Sequence, residues 1–281
     1  MKKVISASRR TDLVAFFPEW LSSAFQEEKV RVHGPSGHTY TVDLSPETVH
    51  TIVLWSKNFT NLIKNRSSLS SALEKYDQLY LHFTITGLGG TFIEKDVPGP
   101  SSALSQLESL IEITGMPERI TVRFDPVVYW KEGKKTKTNL HFFEKLASEL
   151  YALGIRDVRF SFAQWYSKAV RRSSKYGFSY IDPTPEEKKN ETRILTRIAK
   201  SRNINLFSCS QNFLSSIPGV RPSACIDGAH LQVLHPRREP VSIKKDRSQR
   251  AECRCTESVD IGSYTQFCPH SCLYCYANPR V

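Results

Sequence analysis

Two periodicities alternate along this chain. Short apolar runs recur with β-branched and aromatic residues: Val4-Ile5-Ser6-Ala7-Ser8-Arg9, Thr51-Ile52-Val53-Leu54-Trp55, Leu79-Tyr80-Leu81-His82-Phe83-Thr84-Ile85-Thr86, Ile120-Thr121-Val122-Arg123-Phe124-Asp125, Val158-Arg159-Phe160-Ser161-Phe162 and Ile204-Asn205-Leu206-Phe207-Ser208-Cys209. Runs of this length and composition predict buried strands, the fourth halted by Pro126. Between them the apolar residues recur three and four apart, over residues 16–25, then as Leu62, Ile63, Leu69 and Leu73, as Leu104, Leu107 and Ile111, as Phe142, Phe143, Leu146 and Leu150, and as Ile194, Leu195 and Ile198. That spacing predicts helices. Thr184-Pro185-Glu186-Glu187 adds a capping box with proline at the first helical position. Residues 29–45, with Gly34, Pro35 and Gly37, read as a loop or small hairpin.

Strand following helix following strand argues for a parallel sheet with right-handed crossovers. Six such units, and a seventh strand over residues 258–264, predict an α/β fold shaped as a partial or full TIM-like (β/α) barrel. The expected domain is single, residues 1–281. Within it residues 210–257 form a loop-rich, cysteine-containing segment, and residues 258–281 the last strand and its loop. The length of 281 residues suits that architecture. No run approaches the ~20 apolar residues of a membrane span, and the start Met1-Lys2-Lys3-Val4-Ile5-Ser6 lacks the apolar core of a signal peptide. The expected setting is cytoplasmic, with no membrane partner.

The formal charge of +11 suits an anionic partner such as nucleic acid, or simply a solvated surface. The basic stretches 131–137, 171–175 and 244–250 carry no recognised nucleic-acid module and read as solvated faces. The seven cysteines change the picture more. All lie at or after Cys209, and their odd number disfavours a disulfide framework and favours metal ligation. Cys268, Cys272 and Cys275 stand three and two residues apart in Cys268-Pro269-His270-Ser271-Cys272-Leu273-Tyr274-Cys275-Tyr276. Thiolates so spaced can hold three irons of a 4Fe–4S cube and leave the fourth iron open. Two cysteines two apart also suit zinc. Cys209, Cys225, Cys253 and Cys255 could hold an auxiliary 4Fe–4S cluster or zinc, or be plain buried thiols.

The cysteine string resembles the radical S-adenosylmethionine (radical SAM) motif, including an aromatic residue, Tyr274, before the third cysteine. That resemblance implies a 4Fe–4S cluster on Cys268, Cys272 and Cys275. SAM would be chelated through the open iron, and an electron from the cluster would cleave it to a 5′-deoxyadenosyl radical. An electron donor such as a flavodoxin or ferredoxin would supply that electron. Radical SAM domains usually carry the cysteine loop after their first strand, whereas here it comes last, so a circular permutation is expected. From residue 1 the chain is similar in order to spore photoproduct lyase-like radical SAM proteins, through Thr11-Asp12, Val53-Leu54-Trp55-Ser56-Lys57, Thr84-Ile85-Thr86 with the acidic, Pro-rich 94–100, and Val122-Arg123-Phe124-Asp125-Pro126. It also resembles, nearly end to end, a bacterial family of unknown function marked by the Arg9-Arg10-Thr11-Asp12 start and the C-terminal cysteines. The Gly-Gly-Glu segment that often holds the SAM amino group is missing, and residues 9–12 stand in its place.

On this reading the strand ends would face the cofactor. Asp12 suits the SAM ammonium or ribose, Lys57 its carboxylate or an anionic substrate, and Thr84 and Thr86 the ribose. Arg123 and Asp125 share a strand face, as cofactor contacts or as an ion pair. Tyr274 would pack on adenine or in the core. Alternation implies that at most one of Arg9 and Arg10 points inward. The expected function is a radical SAM enzyme of unknown substrate. The alternatives are a non-enzymatic iron–sulfur or zinc protein that transfers electrons or senses redox state, and, more narrowly, an enzyme that repairs or modifies a nucleic-acid base. No residue is assigned as catalytic.

Overall fold

The computed structural model describes residues 1–34, 37–263 and 265–275. In chain order its strands are β1 (Lys3–Ala7), β2 (Lys29–His33), β3 (Thr39–Asp43), β4 (Val49–Ser56), β5 (Leu79–Thr84), β6 (Ile120–Val127), β7 (Tyr129–Glu132), β8 (Lys135–Thr138), β9 (Asp157–Phe162), β10 (Tyr180–Ile181), β11 (Asn205–Ser208), β12 (Val220–Pro222) and β13 (Val259–Asp260). Eight of them make one sheet in the order β12-β11-β9-β6-β5-β4-β1-β13. Every neighbouring pair in it is parallel. The strands run across the sheet in chain order, except that the last, β13, lies beside the first. The architecture is mixed α/β, as the alternation predicts. Among the described residues β12 and β13 do not pair with each other, so the barrel does not close. These edge strands are three and two residues long.

The two faces of the sheet bury different partners, because successive strand residues point to opposite sides. Ile5, Ile52, Leu54, Leu81, Phe83, Val122 and Phe160 pack with helix residues such as Leu21, Phe25, Leu107, Leu146 and Leu195. Val4, Val53 and Tyr80 pack on Cys225, Ile226, Leu231, Val241 and Cys255. The irregular segment after β12 therefore plugs the second face. Burying Ile226 and Leu231 there contributes about 1.5–3 kcal/mol each.

Several boundaries differ from the pattern. Pro126 does not end β6, which runs on to Val127 through a register shift against β9 between Phe124 and Val127. Such a shift is where a strand tolerates a residue with no N–H. The basic stretch 131–137 forms regular structure: β7 and β8 make a hairpin that β10 extends, turning at Gly133 with φ +60°. The basic stretch 171–175 lies in the helix Ser167–Lys175. β12 and the helix Gly228–Leu234 arise within the segment expected to be loop-rich. The seventh predicted strand shrinks to β13, and Tyr264, at its expected end, lies outside the described residues. The capping box forms: Thr184 Oγ1 accepts from Glu187 N, and Glu187 Oε2 accepts from Thr184 N at 2.7 Å. No helix among the described residues is long and apolar enough to cross a membrane.

Candidate functional site

Polar groups collect at the C-terminal ends of the parallel strands, where an open α/β sheet binds its ligands. β13 ends at Asp260. Its carboxylate accepts from Ser6 Oγ at 3.1 Å, Ser8 Oγ at 2.7 Å, Arg9 N at 3.0 Å and Gly262 N at 3.0 Å. This cage fastens the chain after β1 to the chain after β13. Gly262 is needed for the approach, since a Cβ there would lie 2.0 Å from Ser8 Oγ.

The cysteine loop is anchored to the same rim. His270, 2 % exposed, directs Nε2 to Asp12 Oδ2 at 2.9 Å and Nδ1 to Asp96 O at 2.9 Å. Asp12 also accepts from Ala15 N as a helix N-cap, from Lys57 N at 2.8 Å and from Ser56 Oγ at 2.8 Å. Leu273 N donates to Ile93 O at 3.1 Å. Arg172 Nη1 donates to the carbonyls of Cys272, Leu273 and Cys275 at 3.2, 3.2 and 2.9 Å. One residue of a basic stretch read as a solvated face thus clamps the cysteine loop.

Beneath the loop, Lys57 Nζ lies 2.9 Å from both Glu94 Oε1 and Tyr274 Oη, and Tyr274 Oη donates to Glu94 Oε1. Burial alone would lower the Lys57 pKa, but Glu94 and then Cys272 outweigh it and hold the ammonium above its usual value. Burial pushes the Tyr274 phenol well up, so it is a donor. Arg123 ion-pairs with Asp125, which also accepts from Ser161 Oγ. The Arg123 guanidinium and that of Arg9 lie over the Trp55 ring, 5.2 and 5.4 Å from its centroid.

A cavity of about 330 Å³ opens at this rim, and all seven cysteines line it. So do Asp12, Lys57, Thr84, Arg123, Asp125 and Tyr274. Thr86 does not. It is buried past the end of β5, where its Oγ1 accepts from Leu88 N at 3.2 Å. Arg9 and Arg10 both line the cavity, against the expectation of at most one, because β1 ends at Ala7 and strand alternation no longer governs them.

Residues 4–277 match a family described as a domain of unknown function, DUF1848. The chain belongs to the DUF1848 family. No curated protein matches it.

In this DUF1848 chain the donor set fits thiolate-held metal. All seven cysteines are free thiols. In the loop Cys272 is buried and Cys268 and Cys275 are half-buried. Burial, then Asp12, pushes the Cys268 thiol up to about 11, and burial holds Cys272 well above its usual range. Thiols raised in this way are the sort that a metal ion deprotonates on binding. The other four are brought together, with Cys209 Sγ 4.0 Å from Cys225 Sγ. Hydrogen bonds from Cys209 and Cys255 hold Cys225 well below its ordinary value despite burial. A hydrogen bond from Cys255 lowers Cys253 to about 6. Tyr276, the last residue of the cysteine string, lies outside the described residues.

Sequence reasoning missed Ser56, His270, Asp260 and Gly262 and gave Glu94 no role. Only the adjacency of His270 to the cysteines hinted at its part. Elsewhere Asp77, His235 and Glu239 bring ligand atoms together. Lys2 and Arg237 already neutralise those carboxylates.

Proposed function

We propose that this DUF1848 protein is a radical SAM enzyme acting on an unidentified substrate within the sulfur-lined cavity. The observation that carries the reading is the meeting of Cys268, Cys272 and Cys275 with the strand-end residues Asp12, Lys57, Thr84 and Arg123 around one cavity. The strand order agrees with a radical SAM sheet whose first strand and cysteine loop have moved to the far end of the chain. A 4Fe–4S cluster on those three thiolates, with one iron open, would supply the electron that cleaves SAM to a 5′-deoxyadenosyl radical.

The chain's own residues orient and shield that chemistry. Asp12 spends its carboxylate on His270, Lys57 N, Ser56 and Ala15, so it positions the loop rather than contacting SAM. Lys57 keeps its ammonium on the cavity wall beside Tyr274, placed for a carboxylate. The Trp55 ring, with Arg9 and Arg123 over it and His82 stacked at 4.1 Å, offers a flat cationic wall for an anionic or aromatic ligand. The apolar plug beneath keeps water from the second face of the sheet.

The test is anaerobic reconstitution with iron and sulfide, followed by SAM and a strong one-electron reductant, a flavodoxin or ferredoxin serving as physiological donor. The expected result is 5′-deoxyadenosine, lost in Cys272→Ala. An intact cluster whose spectrum ignores SAM and yields no 5′-deoxyadenosine would reject the enzyme and favour an electron-transfer or redox-sensing protein.

A further inference from the structure

We infer that Cys209, Cys225, Cys253 and Cys255 hold a second iron–sulfur cluster, a 4Fe–4S cube ligated on every iron by protein. These residues come from separate parts of the chain. Cys209 directly follows β11, Cys225 lies two residues before Asp227, the N-cap of the plug helix Gly228–Leu234, and Cys253 and Cys255 lie before β13. The fold brings their side chains to one wall of the cavity.

The surroundings suit thiolates rather than idle thiols. Arg123 Nη1 donates to Cys225 Sγ at 3.0 Å. Ile226 N donates to Cys255 Sγ at 3.4 Å, and Cys255 N to Cys253 Sγ at 3.5 Å. N–H donors aimed at sulfur are the outer contacts that tune thiolate-bound metal. Apolar residues, among them Val53, Tyr80 and Ile226, pack around Cys225 and Cys255 and limit water.

The spread of the four sulfurs decides between occupants. A tetrahedral zinc ion with Zn–S bonds of about 2.3 Å needs its sulfurs mutually about 3.8 Å apart. Cys209 Sγ and Cys225 Sγ lie 4.0 Å apart, but no three of these sulfurs lie within 4.8 Å of one another. The set is wider than a single ion's shell and opens onto a cavity with room for a cube. Four protein ligands leave no iron open, unlike the three of the C-terminal loop. The second cluster therefore carries electrons or braces the plug, and does not chelate SAM.

This inference stands apart from the SAM reading, because its measurement is metal content. The protein is purified anaerobically, reconstituted with iron and sulfide and assayed for iron, acid-labile sulfide and zinc. The expected result is about eight irons per chain, and about four in both the Cys268→Ala/Cys272→Ala/Cys275→Ala and the Cys225→Ala/Cys255→Ala variants. Mössbauer spectra of the unmutated protein guard against a variant that misfolds: two cubane components are expected, only one of them perturbed by SAM. About four irons in the unmutated protein, an iron-free triple variant that remains folded, or zinc in place of iron and sulfide would each overturn the inference. Loss of SAM cleavage with both clusters present would reject the enzymatic reading alone.

Discussion

Asp12→Ala tests whether the cysteine loop is tied to the sheet by one carboxylate. Asp12 is 7 % exposed and His270 2 %, so donors left behind have little water to turn to. Ser56 retains Asn58 O as an acceptor at 2.8 Å and loses least. Loss of the N-cap bond to Ala15 costs about 1 kcal/mol. The Lys57 N–H and His270 Nε2 each lose a charged acceptor at about 1–3 kcal/mol. The sum is about 3–7 kcal/mol, enough to lower Tm by at least about 6 °C for a chain of this size. Thermal melts followed by circular dichroism read the total. Hydrogen exchange reads the location, and faster exchange is expected across residues 265–275 while β5 and β6 keep their protection. Asp43→Ala is the control, because that exposed carboxylate bonds only within its own turn and its loss lies within about 0.5 kcal/mol. Equal Tm for Asp12→Ala and Asp43→Ala, or unchanged exchange in the loop, would refute the anchoring.

Glu94→Gln should cost about 3–5 kcal/mol in urea unfolding, because it strands the largely buried Lys57 ammonium, and Lys57→Met/Glu94→Met should recover part of that; two independent, additive losses would contradict the pairing. Gly262→Ala forces a Cβ against Ser8 and should destabilise by about 1–3 kcal/mol; Ser8→Gly in the same chain should restore stability even though it loses a bond to Asp260, and absence of any rescue would show that the approach is not limiting. Stability should also fall on acidification. Burial lowers the pKa of His50 and of His235, so below about pH 6.5 the unfolded chain takes up protons first. Their contribution is therefore complete above that pH and lost as the pH falls through their lowered folded-state values. His50→Asn should flatten the slope of Tm against pH over that window, and an unaltered slope would assign it to other groups.

The fold was legible where local pattern and tertiary packing agree. The strands β1, β4, β5, β6 and β9 bury most of both faces and carry apolar runs, so they stand out. β12 and β13 are edge strands whose register is set by their neighbours, with little in Val220-Arg221-Pro222 to mark a strand. β7 and β8 are short, mostly exposed and rich in lysine, with no apolar alternation to mark them. In the site, the cysteines and the strand-end polar residues carried their chemistry in their identity. His270, Glu94 and Asp260 act through partners 258, 180 and 254 residues away, a separation that local periodicity does not register.

The pairing of β1 with β13 has a temporal side. At ribosomal speeds of about 5–20 residues per second, the 254 residues between Ser6 and Asp260 take roughly 13–50 s to emerge. Through that interval β1 has an unpaired edge, a template for mispairing with neighbouring chains. The newborn sheet must wait for its most distant segment before the sulfur chamber exists, so the clusters proposed above would be loaded only after translation.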